Sequence, residues 1–371
     1  MNFDSSDISS DDPSDTASLR DFGFSSDHAD SFSDLTSHRP GLALQPARVV
    51  FESNEYYRLM TSSGEVKARL AGRLRQGGTF PVVGDWVAVP ASQEHLLLVQ
   101  EILPRKTRLS RKVPGEKTQE QVVAANVDTV FVVMGLDGDY NLRRLERFLV
   151  MVQASGAQPV VVLTKADLHQ DPIGARLDAQ AVAPGVAVWA VSSTQGEGLE
   201  PIRSQLAPGL TVALIGSSGA GKSTLLNRLC NAEVMLTGAV RDGDDRGRHT
   251  TTHRQLVRLP GGGLLIDNPG IREVQLWGEG EDLAETFDDL EALASACRFR
   301  DCQHRDEPGC EVLAAIDQGL LKEARLVSWR TLQKELRHLE RRRDVAASRQ
   351  EDRRLGRFYK RVQAQKKARR P

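Results

Sequence analysis

The 371-residue sequence contains no apolar run near the roughly 18 residues that a membrane-spanning helix requires, so no membrane partner is expected. Its N-terminus lacks the apolar core of a signal peptide, and secretion is not expected either. The first forty residues also lack the arginine-rich, acid-poor character of an organellar leader: they hold nine Asp and eleven Ser, two Arg, and no Lys or Glu. A cytoplasmic protein is the expectation. Cysteine is scarce, four in all, which excludes a disulfide scaffold. What remains is 40% hydrophobic and 27% charged, an ordinary globular composition with room for two or three domains.

The net charge of −1 hides two opposed ends. Residues 1–40 sum to −7, while residues 322–371 carry eighteen Lys and Arg against six Asp and Glu, a net of +12. The acidic end has few large apolar residues and no sustained period, so it reads as a disordered tail. A basic block at a terminus is a common footprint of nucleic-acid binding.

Between the ends the texture changes twice. Arg48–Phe51, Tyr56–Leu59, Val66–Leu70, Pro81–Val89 and Leu96–Ile102 read as short strands punctuated by glycine, which suggests a small closed β-barrel such as an OB-fold. Lys67, Arg69, Arg73, Arg75, Lys106, Arg108, Arg111 and Lys112 are interleaved with them, either as a nucleic-acid face or as a solvated one. From Val122 to about Ile271, apolar strands (Val127–Met134, Gln158–Leu163, Ala187–Val191, Thr211–Ile215, Gly263–Ile266) alternate with helical stretches, the signature of a mostly parallel sheet covered on both faces. Beyond it lie an acidic helical stretch and a long helix whose Leu326, Trp329, Leu332, Leu336 and Leu339 recur every three or four residues.

The motif with the most specific chemistry is Gly216-Ser217-Ser218-Gly219-Ala220-Gly221-Lys222-Ser223, followed by Thr224, between an expected strand and an expected helix. Glycines there let backbone N–H groups curl around phosphate oxygens, and the helix N-terminus adds positive potential. Lys222 would reach the β- and γ-phosphates and Ser223 would ligate Mg²⁺. Thr164-Lys165-Ala166-Asp167 follows a strand and resembles the guanine-recognition motif of GTPases, usually Asn-Lys-x-Asp, with threonine in place of asparagine. A carboxylate at Asp167 would accept two hydrogen bonds from guanine, a pattern that adenine does not offer. Ser192-Ser193 ends the next strand and resembles the short motif whose backbone N–H meets the guanine oxygen. Asp267-Asn268-Pro269-Gly270 resembles the D-x-x-G switch, and His249-Thr250-Thr251-Thr252 lies where a first switch would supply a threonine to Mg²⁺ and the γ-phosphate.

These motifs stand in an unusual order. Base motif (164), serine motif (192), phosphate loop (216), threonine switch (250) and D-x-x-G (267) form a circular permutation of the ordinary GTPase sequence. Such a recut is physically permitted because domain termini often lie close together. After the last switch comes Cys297-x4-Cys302-x-His304-x5-Cys310, three thiolates and one imidazole, which is the donor set of a closed structural zinc site.

With Val83-Gly-Asp-Trp-Val87 in the barrel, the permuted motifs and the Cys/His module over about residues 44–345, the chain resembles the RsgA (YjeQ) family of small-ribosomal-subunit biogenesis GTPases. A multidomain fold is expected: composition gives an acidic tail (1–43) and a basic tail (346–371), and between them the resemblance implies an OB-fold RNA-binding barrel (44–112), a circularly permuted α/β P-loop GTPase domain (113–275) and a mostly helical zinc-binding domain (276–345). It further implies GTP hydrolysis to GDP stimulated by the small subunit, one structural Zn²⁺, Mg²⁺ with GTP, and the small subunit and its rRNA as partners of a monomer. Ile271 follows Gly270 where many GTPases carry a water-orienting glutamine, and in the family the histidine of the threonine motif, here His249, takes that role; a solvated loop histidine is the plain alternative. Two other functions stay open: an RNA-binding assembly module with GTP as a structural ligand, and a permuted GTPase of the large subunit.

Overall fold

The computed structural model describes residues 19–37, 41–53, 55–92, 94–112, 120–231, 254–267, 280–338 and 340–341. It divides into two compact units, one of Met1–Leu109 with Val122–Glu273, the other of Ser110–Gln121 with Val274–Pro371. Among the described residues, no helix is long and apolar enough to cross a membrane.

The first unit begins with β1 (Leu44–Glu52), β2 (Tyr57–Thr61), β3 (Gly64–Leu70), β4 (Trp86–Pro90), β5 (Leu96–Val99) and β6 (Glu101–Ile102). β1 pairs antiparallel with both β2 and β4, β2 with β3, and β3 pairs parallel with β5. Alternation sets the two faces of this sheet: Ala47, Val49, Leu59, Val87, Val89 and Val99 form its interior, while Trp86 and Ala88 point the other way. β7 (Arg108–Lys112) and β8 (Glu120–Ala125), which include the Ser110–Gln121 part of the second unit, pair as a separate two-stranded sheet that sequence patterning did not suggest.

Next come β9 (Thr129–Gly135), β10 (Gln158–Thr164), β11 (Ala187–Ala190), β12 (Thr211–Ile215), β13 (Arg254–Arg258) and β14 (Leu264–Asp267). Their order is β11-β10-β9-β12-β14-β13, parallel except for the antiparallel β13. β9 is buried along its whole length, as its unbroken apolar run requires of a central parallel strand. From β9 the chain builds outward to β10 and β11, then returns to β12 on the other side. The topological switch point therefore lies between β9 and β12, where open α/β sheets bind ligands. The sheet does not stop at β13, which pairs with β1 through Phe51↔Gln255 and Glu52↔Arg254. The expected boundary near residue 112 thus separates sequence textures, while hydrogen bonding runs from one texture into the other.

The acidic N-terminal stretch, expected to be disordered through residue 43, is ordered over residues 19–37. Ser26–Ser37 is helical, and Leu19, Phe22, Phe24, Phe32 and Leu35 pack on Trp86, Ala88, Leu103 and Leu44. The Phe24 ring meets the Trp86 indole edge-on at 4.8 Å between centroids. Asp and Ser dilute those apolar residues below the density that composition registers. Their partner, the outward face of β4, lies some fifty residues further on.

Arg48 joins these parts. It is 1% exposed and, among the described residues, has no carboxylate within hydrogen-bonding distance. Its guanidinium donates to the carbonyls of Phe22, Gly84 and Asn126 (3.0 Å to the last) and to Thr211 Oγ1 at 2.9 Å. Burial lowers its pKa to about 10, so it stays charged at neutral pH. One cation is thereby satisfied by the N-terminal segment, the turn before β4, the β8–β9 junction and β12 together.

The second unit holds helices Gly280–Thr286, Asp288–Ser295 and Glu311–Asp317 and a longer helix over residues 323–338. Leu326, Trp329, Leu332 and Leu336 are buried, as their spacing requires; Leu339 lies outside the described residues. Arg325 grips both Asp289 oxygens at 2.7 and 2.8 Å.

Candidate nucleotide site and metal centre

The loop between β12 and helix Lys222–Cys230 has the curled form that its glycines predict. Gly216 has φ +146, and a Cβ there would stand 2.1 Å from the Val133 carbonyl oxygen, so only glycine lets the loop leave the sheet at this point. Gly221, at φ +83, opens the helix. Lys222 Nζ folds back onto the carbonyl oxygens of Gly216 (2.8 Å) and Ser217 (2.5 Å). Ser223 and Thr224 occupy the first helical turn, and Ala220 is buried beneath the loop. Ser218 and Gly219 form its exposed tip.

The base motif is braced against this loop. Thr164, 1% exposed at the end of β10, donates from Oγ1 to the Ala220 carbonyl at 2.6 Å. The threonine that departs from the usual asparagine thus makes a direct link between the two loops. Lys165 takes a left-handed backbone (φ +58), which turns the chain so that Asp167 faces the loop after β11. Hydrogen bonding from the Ser192 hydroxyl, and then from Thr194, whose Oγ1 lies 3.3 Å from Asp167 Oδ2, holds the Asp167 carboxyl below its ordinary pKa. Asp167 is therefore ionised at neutral pH, the state in which a carboxylate accepts two hydrogen bonds. Ser193 Oγ is buried and has no hydrogen-bond partner among the described residues.

All these residues lie at or just past the C-terminal ends of parallel strands: Thr164 ends β10 and Lys165 and Asp167 follow it, Ser192 and Ser193 follow β11, and Gly216–Ser223 follows β12. Asp267 ends β14 beside β12 and pairs in register with Gln255. His249, Thr250, Thr251 and Gly270 lie outside the described residues.

The second unit brings together the four donors that the sequence singles out. Cys297, Cys302, His304 and Cys310 place their ligand atoms within 4.8 Å of one another. His304 Nδ1 lies 3.6 Å from Cys297 Sγ and 3.4 Å from Cys310 Sγ, and the two sulfurs are 3.9 Å apart. Burial, seconded by Arg330, lowers the His304 pKa and favours the neutral ring, which is the form that ligates. Glu307 accepts from the backbone N–H groups of Gln303, Arg305 and Asp306, and these hold its carboxyl at about 2 and fix the knuckle between the ligands. The cluster can hold one metal ion. Beside it runs a groove of about 870 Å³, whose basic lining includes Arg300, Arg305, Lys334, Arg337 and Arg341, with Glu291, Asp301 and Glu335 as its acidic members.

Comparison with known proteins agrees with this geometry. A family model described as RsgA GTPase matches residues 102–277. A protein of Opitutus terrae named small ribosomal subunit biogenesis GTPase RsgA is 46% identical over 328 residues, which cover 85% of this chain and 89% of that one. Its namesake from Xylella fastidiosa is 47% identical over 292 residues, 76% of this chain and 83% of that one. Among solved structures, YjeQ from Thermotoga maritima has a TM-score of 0.61 at 26% identity and covers 79% of this chain and 98% of that one. YloQ, described as a circularly permuted GTPase, has a TM-score of 0.58 at 26% identity and covers 81% and 98%.

Proposed function

Since this chain belongs to the RsgA GTPase family, and is a GTP hydrolase, we propose that it acts on the small ribosomal subunit during late assembly, with turnover stimulated by that subunit and release after hydrolysis. The observation that carries the reading is the convergence of base, serine and phosphate motifs at the ends of β10, β11 and β12, in permuted chain order.

In this reading the Gly216–Ser223 loop cradles the phosphates, and Lys222 exchanges its loop carbonyls for β- and γ-phosphate oxygens. Asp167 and Lys165 hold guanine, with the Ser193 backbone beside its oxygen. Ser223, with Thr251 from the first switch, would hold the Mg²⁺ that accompanies GTP and that neutralises phosphate charge. Asp267 would support the same ion, Thr250 and Gly270 would contact the γ-phosphate, and His249 would position the attacking water in place of the missing glutamine.

The metal of the Cys/His cluster is zinc in this reading. Zn–S bonds of about 2.3 Å and Zn–N bonds of about 2.0–2.1 Å at tetrahedral angles set sulfur about 3.8 Å from sulfur and about 3.6 Å from nitrogen. The separations of 3.9, 3.6 and 3.4 Å among Cys297, His304 and Cys310 support this reading, and with Cys302 as the fourth protein donor no position would stay open, which supports a structural role. The six β1–β6 strands form an OB-fold: the order β1-β2-β3-β5, the parallel β3–β5 pair and the helix Gly72–Gly77 between β3 and β4 support it. RNA contact by the OB-fold and by the basic groove beside the metal cluster, a monomeric state and a cytoplasmic location complete the proposal.

Measuring GTP hydrolysis alone, with purified small subunits and with large subunits tests it. Stimulation by small subunits only is expected. Binding without turnover in any condition would make GTP a structural ligand, and stimulation by large subunits would reassign the partner.

A further inference from the structure

Between β9 and the helix Leu142–Gln153 the chain makes a short turn, Asp137-Gly138-Asp139, that belongs to none of the nucleotide motifs. It nevertheless touches two of them. Asp139 Oδ2 accepts a hydrogen bond from the hydroxyl of Ser217, the second residue of the phosphate loop, at 2.5 Å. Asp137 Oδ2 meets Lys165 Nζ of the base motif at 2.5 Å. The contact from Asp139 to Ser217 spans the gap between β9 and β12, the switch point of the sheet.

The turn is built to hold still. Leu136 N–H donates to the Thr164 carbonyl at 2.8 Å, and Asp139 N–H donates to Asp137 Oδ1 at 3.1 Å. Asn141 caps the helix that follows by accepting from Arg144 N–H at 3.1 Å. Arg144, in the first turn of that helix, donates to Asp139 Oδ1 at 2.5 Å and also to the Asp139 carbonyl. Asp139 is only 18% exposed and so has little freedom to swing away. Arg144 and Lys165 also neutralise two carboxylates that would otherwise repel an incoming polyphosphate.

We propose that Asp139 is a positioning residue for nucleotide binding: oriented by Arg144, it anchors Ser217 and so fixes the first turn of the phosphate loop before nucleotide arrives. The assignment rests on reading Gly216–Ser223 as the phosphate loop. A loop ordered in advance loses less conformational freedom on binding, and the gain appears as affinity. The same carboxylate seen purely as a charge would do the opposite, because removing a negative group near a polyphosphate tightens binding. The two roles therefore predict opposite signs.

The experiment follows a fluorescent GDP analogue and GTP turnover on the full chain, in wild type and in Asp139→Ala, Ser217→Ala, the double variant, Ser217→Thr and Lys222→Ala. Without that anchor the nucleotide must order the loop itself, so Asp139→Ala should weaken GDP binding by about tenfold. Ser217→Ala should do likewise, and the double variant should be no worse than the weaker single one, because both remove one interaction. Ser217→Thr keeps the hydroxyl and should restore most of the affinity. For Asp139→Ala the loss should appear in KM and not in kcat. Unchanged or tighter GDP binding by Asp139→Ala overturns the proposal, as do additive losses in the double variant or a fall in kcat and melting temperature together. Lys222→Ala guards the premise: if it too binds GDP normally, the phosphate-loop reading itself has failed.

Discussion

Thr164 shows how a single departure from a motif is resolved by its surroundings. Asparagine at this position would carry two amide donors, whereas threonine carries one hydroxyl and commits it to the Ala220 carbonyl at 2.6 Å. In the proposed reading, discrimination between bases then falls on Asp167, whose carboxylate is held ionised by Ser192 and Thr194. Asp167→Asn replaces an acceptor pair by one acceptor and one donor. GTP affinity should fall by about tenfold to a hundredfold, as expected for a lost bidentate charged contact, and xanthosine triphosphate should bind relatively better. Competition of the two nucleotides for the variant checks this; ATP bound as tightly as GTP by wild type would mean that the motif reads no base. These residues were legible because each motif is contiguous and bounded by an apolar strand. Asp139 was not, because its partner Ser217 lies 78 positions away and only the β9–β12 pairing brings them together.

At the scale of elements, the two units differ in what sets their shape. The strands β9, β10 and β12 announce themselves as apolar runs, and burial along their length agrees. β13 and the β7–β8 pair did not, since five-residue strands such as Arg254–Arg258 and Arg108–Lys112 are too charged to show a period. The Cys/His module depends on its ligands more than on its core: Phe287, Leu290 and Val312 are buried nearby, yet the stretch from Cys297 to Cys310 has no regular element of its own. If the proposed zinc is bound there, its binding energy would be folding energy, on the order of 10 kcal/mol for structural zinc sites. Chelation, or Cys302→Ala, should therefore unfold the module while the sheet of the first unit persists. Hydrogen exchange should show residues 297–310 losing protection first, with GDP still bound. Metal analysis giving well under one zinc per chain would remove the metal from this account.

At the scale of the whole molecule, the N-terminal segment changes what the chain can tolerate. It supplies one of the acceptors for the buried Arg48 guanidinium, covers Trp86, and lies against the loop after the helix Glu200–Arg203, where a Cβ on Gly23 would come 2.7 Å from the Gly209 carbonyl. Asp21 and Asp27 add ion pairs to Arg258 and Lys106, which are exposed and worth little alone. The segment thus bridges the β1–β6 strands and the parallel sheet, within one unit. His28 makes this bridge sensitive to pH. It is 5% exposed against Trp86; burial first, then Lys106 and Arg48, lower its pKa to about 4, with Asp27 opposing. Between pH 6.5 and 4 the unfolded chain therefore binds a proton that the folded chain refuses, so stability falls as pH drops through that window. Each tenfold difference in proton affinity between the two states is worth about 1.4 kcal/mol, and the loss approaches about 3 kcal/mol by about pH 4. Deleting residues 1–37 should lower the melting temperature at pH 7.5, because Trp86 is uncovered and Arg48 loses an acceptor. The deletion should matter less at pH 5, where the wild-type segment is already weakened. Melting curves of both proteins across pH 5–7.5 decide it. If the difference between them stays constant with pH, His28 does not govern the bridge, and if there is no difference at any pH, the segment bears no load.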